Sequence, residues 1–568
     1  MSASAVSALA PSTTQAEPQT KYIPVNVRYK SLSNPISDLK ESYDILVIGS
    51  GYGGAVMSAR LAEGRSLAIL ERGAERAPGS FVETFKGFLK DLRSKLKPLG
   101  LFELHPNHEM DVVTGNGLGG TSLINAGATV EPDEDVFRDG HWPSELVDDV
   151  RSGEFQKYYA RVKRTLQAQS YDPARMRSAK VDVHKLATEK LHQKFEYAPI
   201  AVNLYGQKQV LGVEQPKCIQ CGNCCAGCNT GAKNTLNMNY LPLAKYHGAE
   251  VYTCMEVDHI EKLSDGRYRV HCDYHYDGKK KTRKVIEANT VIVAAGTMGS
   301  TRLMMKSRRY GLSLSNQLGQ RFSGNGDVLG LSFNTDYKTN AIGFDSASEV
   351  RVDMRPGAVI YGVADYRPGR KISERFIIEE GTFPGALTIP LRMAMATAKL
   401  KISRWRALRV LRDVTLSKDI EKGALNHSMV YLGMGHDRAD GQLILDRKDR
   451  VRVHWPHVMS DPVFPMIDRE MKRQSQVLGG NFVMNPRTLI VSGKNLVTVH
   501  PLGGCVMGDT AEYGVVNHLG QVFTENGELH QGLYIMDGSV VPTALGVNPL
   551  LTIASLAERA AERIRHLC

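Results

Sequence analysis

The chain of 568 residues is 42% hydrophobic and 23% charged, an ordinary globular balance, and is long enough to bury a large core across several domains. Its net charge of +11 reads as a basic solvated surface, with attraction to anionic lipid or an acidic partner as the alternative. No nucleic-acid-binding signature accompanies the charge, which excludes that partner. No stretch approaches the roughly 18 apolar residues of a membrane-spanning helix. The start lacks the charged beginning and apolar run of a secretory signal, and the nine cysteines are bunched rather than spread as a disulfide framework. A cytoplasmic protein is the expectation.

Residues 1–40, rich in Ser, Ala, Pro and Thr, are expected to form a flexible extension. Tyr43-Asp-Ile-Leu-Val-Ile-Gly49-Ser-Gly51-Tyr-Gly-Gly54 then reads as a buried strand entering a glycine-rich turn and a helix. Gly49 permits the tight turn, Gly51 lets backbone amides approach a pyrophosphate, and Gly54 lets the helix pack on the strand. The helix N-terminus points positive charge at the phosphates. A second strand, Ser66-Leu-Ala-Ile-Leu-Glu71, ends in an acid placed for ribose hydroxyls, 22 residues after Gly49. A glycine-rich turn alone is weak evidence; with both strands and the acid it predicts a dinucleotide-binding unit. A second glycine-rich segment, Gly115-Asn-Gly-Leu-Gly-Gly120-Thr121-Ser-Leu-Ile-Asn125-Ala126, needs positive φ or close backbone approach and could lie against the same cofactor.

Residues 150–215 alternate charged and apolar positions at helical spacing and are expected to form surface helices. The loop after them, Cys218-x2-Cys221-x2-Cys224-Cys225-x2-Cys228, contains C-x2-C-x2-C-x3-C, the spacing of a bacterial ferredoxin cluster. Asn229 stands where such runs usually carry proline, and no second full run exists. Cys218, Cys221 and Cys224 are candidate ligands of a [4Fe-4S] cluster, with Cys228 or a distant residue as the fourth; a zinc site and a metal-free loop remain open. Strands follow at Glu250–Val257 and Tyr268–Tyr276, with Asp277-Gly278 as a hairpin turn. Ala288-Asn-Thr-Val-Ile-Val-Ala-Ala-Gly296 reads as a buried strand that returns the chain to the first sheet.

Four motifs in order, the first glycine turn, Gly117–Asn125, His500-Pro-Leu-Gly-Gly-Cys505, and Asp537-Gly-Ser through Asn548-Pro549-Leu550, resemble the glucose–methanol–choline (GMC) oxidoreductases, most of all their cholesterol-oxidase branch. The resemblance runs from about residue 43 to 565. It implies an α/β fold, a discontinuous Rossmann-like FAD-binding domain with an inserted substrate domain built on a β-sheet. Its parts would be FAD-binding segments at 41–150, 241–324 and 491–568, a helical segment with the cysteine loop at 151–240, and the substrate domain at 325–490. It implies FAD contacts at Gly49, Gly51, Gly54, Glu71, Gly120, Thr121, Asn125, Ala126, Val257, Asp537, Gly538 and Leu550. Thr121 and Ala126 carry side chains where the family often has glycine.

The implied reaction is oxidation of an alcohol, which loses a proton from oxygen and a hydride from carbon. His500 would hold or deprotonate the hydroxyl. Asn548 would donate its amide toward the substrate oxygen or the reduced flavin, its backbone held extended by Pro549. For a carboxylate base, counting back from Pro384 in Glu379-Glu380-Gly-Thr-Phe-Pro384 favours Glu379 over Glu380, although paired acids at a strand end also suit a solvated turn. In an apolar cavity such an acid would have its pKa raised. The stretch from Gly381 to Arg412 is apolar first and basic later, suiting either a core-packed helix or a lid touching a membrane. The expected partner is a small hydrophobic alcohol, a sterol foremost, with electrons passing to oxygen or a carrier. Other readings are a dehydrogenase relaying electrons through the cysteine loop, a flavin redox sensor without turnover, and light-driven chemistry on a fatty acid.

Overall fold

The computed structural model describes residues 29–207, 213–276, 280–348, 350–397, 404–415, 422–484 and 496–566. Strand Ser42–Ile48 is flanked in parallel by Leu67–Leu70 on one side and Lys280–Val293 on the other, and Leu529–Ile535 pairs in parallel beyond. Ile45, Leu46, Val47, Val291 and Ile292 are completely buried, as a parallel sheet covered on both faces requires. Across the sheet the order is Gln521–Phe523, Leu529–Ile535, Lys280–Val293, Ser42–Ile48, Leu67–Leu70, Glu250–Tyr252. Stretches from the beginning, middle and end of the chain therefore share one sheet, the discontinuous Rossmann-like arrangement expected. The antiparallel strands Met255–Lys262 and Tyr268–Tyr276 extend it. Tyr276 pairs with Lys280 around the Asp277-Gly278 turn, which itself lies outside the described residues.

Helix Tyr52–Leu61 packs on the last helix, Leu550–Ile564. Arg60 bonds Glu558 through Nε and Nη2 at 2.8 and 2.7 Å, and the Tyr240 hydroxyl donates to the same carboxylate at 2.8 Å. Glu558 is wholly buried and also meets Arg161 at 3.3 Å, so removing Arg60 would leave the buried carboxylate with one longer ion pair and cost stability. Gly54 sits where this helix crosses the sheet. A Cβ there would lie 2.1 Å from the Gly49 carbonyl oxygen and 3.1 Å from the Ala294 Cβ. Both the close neighbour and the glycine are backbone-anchored, so the clash cannot be relieved by a rotamer. Gly54→Ala is expected to push helix and turn apart, lowering Tm and flavin retention together, as thermal melts and the protein-bound flavin ratio would show.

The second sheet is antiparallel, in the order Asn481–Met484, Val328–Phe333, Met429–Gly435, Phe376–Gly381, Gly362–Asp365, Lys194–Tyr197. Helices Ala179–Lys190 and Val463–Val477 cover one face. The other face, presenting Leu329, Val430 and Leu432, looks into the cavity described below.

Two stretches depart from the sequence expectation. Residues 150–215 are not all surface helices: Lys194–Tyr197 is the edge strand of the second sheet, and Lys180, Val181 and His184 on the preceding helix are buried beneath it. The charge pattern that suggested a solvated helix is satisfied internally, because Lys180 pairs with Glu380 at 2.6 Å. Residues 29–40, read as part of a flexible extension, are tied down. Leu32 and Ser33 donate their backbone N–H groups to Glu75, and Asn34 donates to the Val251 carbonyl. Residues 1–28 lie outside the described residues.

Candidate active site

The two sheets face each other across a cavity of about 990 Å³. On the first sheet's side, Gly49 takes φ +101° and its absent Cβ would lie 2.3 Å from the Ala294 oxygen. Gly51 caps helix Tyr52–Leu61, and a Cβ there would meet nothing within 4 Å. Its glycine is thus not demanded by protein packing; it leaves room for a ligand at the helix N-terminus. The second glycine-rich segment lies directly against the first. A Cβ on Gly120 would stand 2.9 Å from Gly51 Cα, and the Gly119 N–H donates to Ser50 Oγ at 2.9 Å. Ser50 Oγ in turn donates to Glu71 at 2.5 Å.

Gly49, Gly51, Glu71, Gly120, Thr121, Asn125, Ala126, Val257, Asp537, Gly538 and Leu550 all line this cavity. Thr121 turns its hydroxyl to accept from the Gly115 N–H at 3.2 Å, so its side chain is accommodated beside the backbone path. Asp537 accepts from the Gly296 N–H, Ser300 Oγ and the Ser539 N–H, which locks the turn that carries Gly538. Gly54 is the exception. It lies behind the turn and off the cavity wall, serving helix packing.

His500 and Asn548, 48 residues apart in sequence, both reach the wall. His500 Nδ1 lies 2.8 Å from Asp327 Oδ1. The other carboxylate oxygen of Asp327 accepts from Thr498 Oγ1 at 2.9 Å and the Val499 N–H at 2.8 Å. Asp327 is fully buried and held on both oxygens. A carboxylate at Nδ1 fixes the ring's orientation and favours the tautomer that carries its hydrogen at Nδ1. Asp327 was missed in the sequence: an isolated Asp after Asn325-Gly326 carries no motif, and only the fold brings it across to His500.

Asn548 hangs from a loop clamped by Asn325, which is likewise invisible as a motif. The Asn325 amide donates to the Val547 carbonyl at 2.9 Å, and its Oδ1 accepts from the Leu545 and Gly546 N–H groups at 2.8 and 3.0 Å. Asn548 donates Nδ2 to Glu379 Oε2 at 3.3 Å, while its Oδ1 is buried with no protein partner.

Strand alternation separates the paired acids onto opposite faces. Glu380 points to the helices, where Lys180 and the backbone N–H groups of Tyr361 and Gly362 satisfy it and the lysine holds its pKa below the usual carboxylate range. It has no capacity left for a substrate proton. Glu379 points to the cavity side, with Oε1 unpartnered, and burial pushes its pKa up to about 8. Yet Glu379 does not reach the wall. Asn548 lies on the wall with Glu379 bonded behind it, so the carboxyl expected to touch substrate instead backs the Asn548 amide.

Among the described residues, the one group of three ligand-type side chains within 4.8 Å of one another is His259, Glu261 and His271, on the outer hairpin. The cysteine loop therefore holds no ready-made single-ion zinc site. Zinc thiolates at about 2.3 Å would bring the sulfurs to about 3.8 Å apart.

A glycine cradle at a helix N-terminus, an acid at the second strand's end, and a histidine–asparagine pair across one cavity define a flavin-dependent oxidoreductase. Unpartnered Oδ1 atoms of Asn125 and Asn548, and the open space at Gly51, fit a bound dinucleotide. Residues 43–323 and 469–557 match the GMC oxidoreductase family, and the chain belongs to it. It is an FAD-dependent alcohol oxidoreductase. It is similar to the cholesterol oxidase of Mycobacterium tuberculosis, 28% identical over 92% of this chain and 91% of that one. A cholesterol oxidase of Acinetobacter baumannii is also 28% identical, over 92% and 94%. Long-chain-alcohol oxidase FAO4B of Arabidopsis thaliana is 24% identical over 92% of this chain and 67% of its own. The solved structure of pyridoxine 4-oxidase from Mesorbium loti shares the fold at a TM-score of 0.55 and 12% identity, covering 92% of this chain and 99% of that one.

Proposed function

We propose that this protein oxidises a hydrophobic alcohol, a sterol foremost, at the cavity between the two sheets. The observation that carries this reading is the pairing of His500, oriented by buried Asp327, with Asn548 on a cavity whose wall includes the apolar side chains of Leu329, Phe383, Leu387, Leu391, Val430 and Leu432. Such a wall suits a ring system or alkyl chain and offers few partners to a sugar's hydroxyls. The similarity to proteins named cholesterol oxidase and long-chain-alcohol oxidase supports the same class.

FAD, when bound along Gly49, Gly51, Gly120 and Asp537, supplies the hydride acceptor. The chain's own residues manage the proton and the orientation. His500 Nε2 accepts the hydroxyl proton, and Asp327 stabilises the imidazolium that results. Asn548 donates to the oxygen as negative charge develops there. The apolar wall excludes water and fixes the carbon skeleton.

Exposed Ile389 and Met393 on helix Thr388–Thr397, and Leu408 and Leu411 on Arg404–Thr415, stand beside the cavity wall formed by Leu387 and Leu391. With exposed Arg412 of the second helix they suit peripheral contact with an anionic membrane that delivers the substrate. Residues 398–403, within the stretch read as a lid, lie outside the described residues. Among the described residues no helix is long and apolar enough to cross a membrane. A second reading concerns the acceptor: the cysteine loop behind this wall favours relay to a carrier over direct reaction with oxygen.

Anaerobic absorbance spectra of the flavin-loaded protein, before and after addition of a 3β-hydroxysterol, test the main reading. Bleaching of the flavin bands is the expected result. Bleaching by straight-chain alcohols alone would overturn the sterol assignment, and bleaching by neither would favour the sensor reading.

A further inference from the structure

Lys233 is an anomaly. It is 2% exposed, yet among the described residues no carboxylate pairs with it, and its ammonium donates only to the Cys224 carbonyl, at 3.0 Å. A buried cation without a counter-charge is costly, and natural proteins supply a nearby anion. The groups around Lys233 are the sulfurs of Cys224, Cys225 and Cys228.

The loop that surrounds it is shaped to collect sulfur. Gln220 adopts φ +63°, a conformation few non-glycine residues hold, and Gly222 and Gly227 follow at +75° and +107°. Residues that alternate between right- and left-handed conformations turn successive N–H groups inward and create concavities for anions, iron–sulfur centres among them. Two backbone N–H groups already donate to sulfur: Gln220 N to Cys218 Sγ at 3.3 Å and Lys233 N to Cys228 Sγ at 3.4 Å. The loop is also clamped from outside. A Cβ on Gly227 would fall 2.1 Å from the Phe81 ring, and one on Gly222 would fall 2.6 Å from Thr382 Cγ2. All five cysteines of the loop are free thiols, so the bunching does not serve disulfides.

The sulfurs of Cys218, Cys221, Cys224 and Cys228 lie close enough for each to interact electrostatically with the other three. No three of them approach within 4.8 Å, too open for one zinc ion. A cubane attaches each thiolate to a separate iron and so needs its four ligands farther apart. Cys225, adjacent in the chain, lines the active cavity.

We propose that Cys218, Cys221, Cys224 and Cys228 bind a [4Fe-4S] cluster, with Lys233 as its buried counter-ion, one residue behind the wall of the FAD cavity. The cluster's role rests on the alcohol-oxidation reading above; its presence does not. Each alcohol oxidised to a carbonyl yields two electrons and two protons. The cluster passes one electron at a time, so two successive transfers to a one-electron carrier protein, with both protons released to water, complete a turnover. The enzyme is thereby a dehydrogenase rather than an oxidase.

The test is metal and sulfide analysis of the full chain purified without oxygen, with flavin measured in the same sample. About four iron and about four labile sulfide per flavin are expected, with a paramagnetic signal appearing on reduction. Cys221→Ser is expected to lose most of the iron, and Cys225→Ser to retain it. Lys233→Met is expected to make the cluster harder to reduce, moving its potential downward. Stoichiometric zinc, or full flavin with neither iron nor sulfide after anaerobic reconstitution with iron and sulfide, would overturn the proposal. Iron retained in full by Cys221→Ser would overturn the ligand assignment. None of these readouts depends on turnover, so an iron-containing protein that fails to bleach with alcohol would defeat only the reading of its reaction.

Discussion

His500→Ala is expected to lower kcat/KM for the alcohol by about 10²–10⁴-fold while the protein retains its flavin, because proton transfer by a positioned base is worth about that much. Stopped-flow flavin reduction under anaerobic conditions isolates the step. Asp327→Asn should give a loss in the same direction with a different signature. The asparagine can donate to Nδ1 as readily as it accepts, so the imidazole is free to take the tautomer that points a proton at the substrate. The reduction rate of that variant should fall without a matching rise in KM. An H500A protein that keeps more than about a tenth of the rate would remove His500 from proton transfer.

Glu379→Gln should change how stability depends on pH. Burial raises the Glu379 pKa from 4.5 to about 8 in the folded chain. Between those two values the folded state holds a proton that the unfolded state has released. Stability therefore falls as pH rises through this window, by up to about 1.4 kcal/mol per pH unit, and levels off above it. Glutamine removes the titration. Denaturant midpoints of E379Q should lose that slope and exceed wild type above pH 8, while little differs near pH 4.5. The activity readout separates roles. Glutamine still offers an oxygen to Asn548 Nδ2, so a residue that only backs the amide leaves the reduction rate nearly intact at neutral pH. Midpoints that move in parallel for both proteins would show that Glu379 does not titrate there.

The parts of this site that were legible in the sequence are those whose chemistry is local. The turn at Gly49–Gly54, the acid at Glu71 and the His500-Pro-Leu-Gly-Gly run each announce themselves within a few residues, because a tight turn or a close backbone approach constrains adjacent positions. Asp327 and Asn325 were not legible. Their partners, His500 and the Leu545–Val547 loop, lie more than 170 residues away, and no local pattern marks a residue whose role is set by a distant one. Glu379 fell between. Its place on the cavity-side face follows from strand alternation, but that Asn548 would cover it depends on packing between domains. The same limit misread the helix at Ala179–Lys190, whose buried Lys180 looks solvated until Glu380 is brought beside it.

The sheet that joins the first and last segments of the chain also sets a timetable for synthesis. Strand Ser42–Ile48 and Asn548 are separated by about 500 residues, and a ribosome adding roughly 5–20 residues per second takes about 25–100 s to cover them. For most of that interval the nascent nucleotide-binding unit lacks both Leu529–Ile535, which extends its sheet, and Leu550–Ile564, which covers its first helix. Apolar surface stays open to other chains until the final few dozen residues emerge. Loss of even a short C-terminal segment should therefore yield insoluble protein rather than a weakened enzyme, and yield in a heterologous host should respond to chaperone supply more than to growth temperature alone.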